Sequence, residues 1–185
     1  REENVVDSKA VPNIVIPYLS ADGSAYCLRP HKLGFRGVQV EIFQQKALAS
    51  QPTEIILTEG EFKAFAASQV MGIPAIGIPG ISSFSEQHFQ RLVDFMKPCV
   101  KKVVVIFDNE VKDDPTNAKR YKENPQDRYD TDFYAYWMAT RLEEAGFETR
   151  VGVLPDAWRE DGKIDIDGAL KAGRGRGDIL RVMYE

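Results

Sequence analysis

The chain has 185 residues, 43% hydrophobic and 28% charged, enough for one globular domain with a buried core and room for a small appendage. Its longest purely apolar run, Val103 to Phe107, is far short of the roughly 20 residues that cross a bilayer, and the N-terminus lacks the order of a signal peptide; a soluble, cytoplasmic protein with no membrane partner is expected. The net charge of −4 argues against indiscriminate wrapping of nucleic acid, and two isolated cysteines with only two histidines exclude a zinc centre, a disulfide framework and an obvious Ser-His or Cys-His dyad.

The polar, unpatterned opening from Arg1 to Ala10 reads as a linker, consistent with a piece of a longer protein. Ile14 to Leu19, an Asp22-Gly23 turn and Ala25 to Arg29 then predict a β-hairpin whose second strand carries Arg29 to an exposed rim, with Lys32 and Arg36 close behind. A helical stretch is expected around Glu41 to Ala49. From residue 53 onward the pattern alternates strand and helix, the mark of a parallel sheet covered by helices on both faces. Residues 1–52 are therefore read as a linker and hairpin subdomain, and 53–185 as the main α/β domain.

Four strands are expected: Ile55 to Thr58, Ile73 to Ile78, Lys102 to Phe107 and Thr149 to Leu154. The third has no polar alternation and should be central, buried on both faces. The helix after the first strand, Glu61 to Met71, offers Phe62, Phe65, Ala66 and Val70 to a core. The next carries Phe89, Leu92, Val93 and Met96 on one side, with Ser83 or Ser85 as its cap. Residues 108–130 form a long hydrophilic loop with two prolines. A helix from Thr131 to Ala145, a short acidic helix from Asp165 to Ala172, a Gly-Arg-Gly-Arg-Gly turn and an apolar segment, Ile179 to Tyr184, complete the chain.

In a parallel sheet the C-terminal strand ends open onto one edge, where ligands bind. That edge collects Glu59 after the first strand, Asp108 and Glu110 after the third, and Asp165 and Asp167 after the fourth. Crowded carboxylates repel one another and call for cations or basic partners. An acid-x-acid pair on extended backbone points both side chains the same way, which suits a shared metal environment. With only oxygen ligands at hand, hard cations are expected, Mg²⁺ first and Mn²⁺ or Ca²⁺ next. From spacing alone, a solvated acidic surface is the commoner outcome.

Three motifs in order, Thr58-Glu59-Gly60-Glu61-Phe62-Lys63-Ala64, Gly72 to Gly80 with its Pro79-Gly80 turn, and Phe107-Asp108-Asn109-Glu110, resemble the TOPRIM domain shared by DnaG-type primases, type IA and II topoisomerases, OLD-family nucleases and RecR proteins. The resemblance is strongest to the TOPRIM-like domains of phage, plasmid and mobile-element replication proteins. It extends more weakly to Leu154-Pro155-Asp156 and to Lys163-Ile164-Asp165-Ile166-Asp167, covering about residues 14 to 172. It implies Glu59 as general acid or base or metal ligand, Asp108 and Glu110 as Mg²⁺ ligands, and Asp165 and Asp167 as a second metal pair. Arg29, Lys32, Arg36, Lys63 and Lys163 become candidates for contacting nucleic acid or nucleotide. The family's acid pair is usually Asp-x-Asp; here the second acid is Glu110, one methylene longer.

The resemblance implies nucleotidyl transfer of the RNA primase type in DNA replication, acting on single-stranded DNA and nucleoside triphosphates beside other domains such as a helicase. The alternatives are a metal-dependent nuclease of the OLD type, using the same carboxylates with water as nucleophile, and a degenerate TOPRIM module that binds DNA or protein. A receiver-like phosphoacceptor fits poorly, because its paired acids would follow the first strand.

Overall fold

The computed structural model describes residues 13–32, 41–81, 84–110 and 131–184. The loop expected beyond Glu110 and the side chains of Lys32 and Arg36 lie outside the described residues. Strands β1 (Asn13–Leu19) and β2 (Ala25–Lys32) form the antiparallel hairpin, closed by Asp22, whose Oδ1 accepts from Ser24 N at 2.9 Å, and by Gly23 at φ 85°. Four parallel strands follow: β3 (Glu54–Glu59), β4 (Ala75–Ile78), β5 (Lys102–Val105) and β7 (Glu148–Val151), in the order β4-β3-β5-β7. A separate two-stranded antiparallel ribbon joins β6 (Asn109–Glu110) to β8 (Lys163–Ile164). The sequence pattern carries no sign of this ribbon, which is too short to show a period.

Side chains alternate across β5 and its continuation. Val103, Val105 and Phe107 enter one apolar cluster, and Val104 and Ile106 enter the other. The expectation of a central strand buried on both faces is met. The first cluster lies under α2 (Glu86–Met96) and α3 (Thr131–Glu144); the second lies under α1 (Glu61–Met71), α4 (Ile166–Lys171) and α5 (Arg176–Tyr184). Ser85 is the cap of α2, accepting from His88 N, while His88 Nδ1 accepts from Ser85 N at 3.1 Å. Gln45–Ser50 is a short 3₁₀ helix, and Phe43, two residues before it, bridges to Gly77 on β4, so the helix expected around Glu41 to Ala49 is only partly present.

Helix α1 has the expected bounds but turns the other face inward. Ala64, Ala67, Met71 and Glu61 are buried, whereas Phe62, Phe65 and Val70 are exposed. The cause is the closeness of helix to sheet. A Cβ on Gly77 would lie 2.5 Å from the Gly60 carbonyl oxygen and 3.3 Å from Ala64 Cβ, so only small side chains fit there. Buried Glu61 is held by Tyr18 Oη and by the Arg29 guanidinium, both from the hairpin. Arg29 is thus not on an exposed rim: it is buried, and it anchors the hairpin to α1.

Among the described residues no helix is long and apolar enough to cross a membrane, and Cys27 and Cys99 are free and half-buried. Gly77→Ala should lower the unfolding free energy by about 1–3 kcal/mol, because backbone rather than a flexible side chain opposes the new methyl. Gly80→Ala, with open space around its Cβ, should change it by less than about 0.5 kcal/mol in the same urea titration.

Candidate active site at the C-terminal edge of the sheet

Glu59 is the last residue of β3, and Gly60 at φ 76° turns the chain directly into α1 without a side-chain cap. The Glu59 carboxylate does not cap that helix. Its Oε1 instead accepts from Ile81 N at 2.9 Å, across the edge in the turn that follows β4. One backbone N–H beside the Pro79-Gly80 turn, that of Ile81, therefore serves an internal anion. Burial first, and the neighbouring Asp108 charge second, push the Glu59 carboxyl above the usual carboxylate range; Lys63 and Lys163 pull in the opposite direction.

Asp108 leaves β5 almost fully buried, 5% exposed, and each of its oxygens meets an ammonium. Lys63 Nζ, from the first turn of α1, lies 2.5 Å from Oδ1, and Lys163 Nζ, from β8, lies 2.7 Å from Oδ2. Lys163 also reaches Glu110 Oε1 at 2.8 Å, because the β6–β8 register sets Glu110 opposite Lys163. Burial alone would lower the Lys163 ammonium, but Asp108 and Glu110 outweigh it and raise its proton affinity. Asp108 and Glu110 thus point to one side, as the acid-x-acid spacing predicts.

Asn109 points the other way and is buried. Its Nδ2 donates to the Leu154 carbonyl at 2.5 Å and to Asp156 Oδ1 at 2.9 Å, while its Oδ1 accepts from Arg159 Nη2 at 2.5 Å. Arg159 also pairs with Asp156 at 2.8 Å. This network ties the acid pair to the Leu154-Pro155-Asp156 segment after β7. Sequence reading missed it; the available signal was the position of Asn109, which must face away from two acids that share a side.

Asp165 and Asp167 are separated by the structure. Asp165 caps α4, accepting from Gly168 N at 2.6 Å, and its Oδ2 lies 3.9 Å from Lys63 Nζ, at the margin of the cluster. The Asp167 carboxylate pairs with Lys171 one turn along α4, at 2.5 Å. Glu59, Asp108, Glu110, Lys63 and Lys163 therefore form the centre, with Asp165 beside it. Among the described residues no three acidic, histidine or cysteine side chains are grouped as metal ligands; the carboxylates are interleaved with lysines. In donor chemistry they still fit a hard cation, since all offer oxygen and both lysines stand where a cation would supply charge.

The chain is similar in structure to a DNA primase domain from Pseudomonas aeruginosa, with a TM-score of 0.59 and 18% identity over 94% of this chain and 51% of that one. It is equally similar to the E. coli primase catalytic core, with a TM-score of 0.59 and 17% identity over 92% and 51% of the two chains. The chain has the TOPRIM fold of the DnaG-type primases. A DnaG primase catalytic domain bound to single-stranded DNA aligns with this chain at a TM-score of 0.57 and 16% identity, over 92% and 52% of the two chains. The chain spans about half the length of these primase structures. No protein-family model and no curated protein matches it.

Because the Glu59 carboxyl is raised in the folded state, its ionisation destabilises the fold as pH climbs above the ordinary carboxylate range. Glu59→Gln keeps an acceptor for Ile81 N and removes that ionisation. The variant should melt higher than wild type at neutral pH, and the gap should close as the pH falls below about 4, where Glu59 becomes protonated in both states. Thermal melts across that range check both the sign and the window.

Proposed function

We propose that this TOPRIM domain carries out metal-dependent nucleotidyl transfer of the primase type, as one domain of a DNA replication protein of phage or mobile-element kind. The observation that carries the reading is the lysine-bridged carboxylate centre at the C-terminal edge of the parallel sheet, where α/β folds bind ligands. The likeness to primase catalytic cores, one of them bound to single-stranded DNA, supports the choice of substrate class.

Asp108 and Glu110 would hold Mg²⁺ or Mn²⁺, with Glu59 and Asp165 at the margins of that position. A bound divalent cation would supply charge to the triphosphate oxygens and favour deprotonation of the attacking sugar hydroxyl. The chain's own residues divide the remaining work. Glu59, its proton affinity raised by burial and by Asp108, can take a proton from a hydroxyl. Lys63 and Lys163 neutralise Asp108 and Glu110 in the resting domain and can transfer their hydrogen bonds to phosphate oxygens when a cation takes over. Asn109 and Arg159 keep the acid pair in register. Arg29, committed to Glu61, is left out of substrate contact. Residues 1–52 and 53–185 are treated as one hairpin subdomain and one TOPRIM domain in this scheme.

The same two lysines favour a second reading, a module that neutralises its own acids and binds DNA or protein without metal. Calorimetric titration of Mg²⁺ and Mn²⁺ separates the two. Wild type should bind Mn²⁺, the Asp108→Asn/Glu110→Gln double variant should lose that binding at least tenfold, and the full protein should extend primers on single-stranded DNA. Equal binding by wild type and double variant would sink the metal centre. Cleavage of the strand in place of primer synthesis would move the reading to a nuclease with the same ligands.

A further inference from the structure

The two lysines of the carboxylate centre are held differently. Lys63 rises from the first turn of α1 with its side chain 18% exposed, and its Nζ lies 2.5 Å from Asp108 Oδ1 and 3.9 Å from Asp165 Oδ2. Lys163 comes from the two-residue strand β8, and its side chain is 46% exposed. Its Nζ lies 2.7 Å from Asp108 Oδ2 and 2.8 Å from Glu110 Oε1, so one ammonium bridges the two acids that share a side.

That bridging position is the one a hard cation held by Asp108 and Glu110 would take. An oxygen-bound Mg²⁺ sits about 2.1 Å from each ligand atom, and an ammonium on the same two oxygens competes for their lone pairs and repels the incoming charge. The two lysines differ in how readily they can leave. Lys163 has a flexible, half-exposed stem, and its ammonium is rehydrated when it swings outward. Lys63 has little access to water, and its departure would strip Oδ1 of the buried Asp108 of its counter-charge.

We infer that Lys163 is an exchangeable stand-in for the divalent cation at Asp108 and Glu110, while Lys63 is the permanent counter-charge. The inference rests on the metal-dependent reading above and adds how that site is regulated. Cation and Lys163 ammonium exclude one another, so the lysine sets how much metal the domain holds. Apparent affinity scales with the fraction of molecules in which the lysine has vacated the pair; a vacancy in about one molecule in ten makes it about tenfold weaker than the carboxylates alone would give.

Calorimetric titration of the whole chain with Mn²⁺ tests this first. A lysine that merely supports the site would weaken metal binding when removed, whereas Lys163→Met should bind about tenfold tighter than wild type. Without metal the same variant should melt below wild type, because Asp108 and Glu110 lose a partner, and Mn²⁺ should raise its melting temperature by more than it raises that of wild type. Lys163→Gln, which keeps an N–H donor without the charge, should show the same gain in affinity and serves if the methionine variant does not fold. Amine labelling by reductive dimethylation, read by mass spectrometry on wild type, separates exchange from a general effect of charge. Lys163 should become more reactive in saturating Mg²⁺, with Lys63 protected in both conditions. Affinity at or below wild type in the Lys163 variants, or metal binding that leaves Lys163 labelling unchanged, would overturn the exchange. Either result, with Mn²⁺ binding still lost in Asp108→Asn/Glu110→Gln, leaves the nucleotidyl-transfer reading standing. Absence of Mn²⁺ binding in wild type and in both Lys163 variants removes the metal centre and the exchange with it.

Discussion

The double engagement of the Asp108 carboxylate, by Lys63 from α1 and Lys163 from β8, is the contact around which the C-terminal edge is organised. An ionised carboxylate taken this far from water costs several kcal/mol unless it is paired, and losing one partner of a buried pair is expensive for the same reason. Two ammonium groups from distant parts of the chain satisfy it. Their attachment fixes the first turn of α1 and the β6–β8 ribbon against the end of the central strand. Among the described residues Glu59 has no lysine in hydrogen-bond contact and accepts from a single backbone N–H, and it keeps the raised proton affinity that burial first, and Asp108 second, impose on it.

Around this centre, polar side chains hold the elements in register where apolar packing would be too permissive. Asn109 satisfies the Leu154 carbonyl and receives Arg159, which joins the end of β5 to the loop after β7. Glu61 gathers Tyr18 and Arg29, which joins the hairpin to α1. In both cases a buried polar group would be costly if its partner moved, so each network penalises displacement of its element. The apolar contacts on either face of the sheet supply most of the burial, but they do not specify these positions.

Most of the sheet was legible in the sequence. The unbroken Val103 to Phe107 run announced a central strand, the strand and helix alternation announced parallel order, and Thr58-Glu59-Gly60 with Phe107-Asp108-Asn109-Glu110 placed two strand ends on one edge. The face of α1 was misread, since large apolar side chains are ordinarily the buried ones. Here the close approach of Gly60, Ala64 and Gly77 admits only small residues, and Phe62 and Phe65 are turned outward. Asp165 and Asp167 looked equivalent in sequence, yet a helical start sends one toward Lys63 and pairs the other with Lys171.

What the sequence determined by itself was fold class, the order in which the strands appear and which acids follow the strand ends, because these follow from periodicity and local turn chemistry. Tertiary structure alone decided which charges meet. Lys63 and Lys163 are 100 positions apart, and only the α1 packing and the Glu110 to Lys163 register bring them to the same carboxylate. Whether a basic side chain becomes anchor, counter-charge or surface depends on those long-range contacts, which is why Arg29 is a buried anchor to Glu61 while Arg174 and Arg176 remain at the surface.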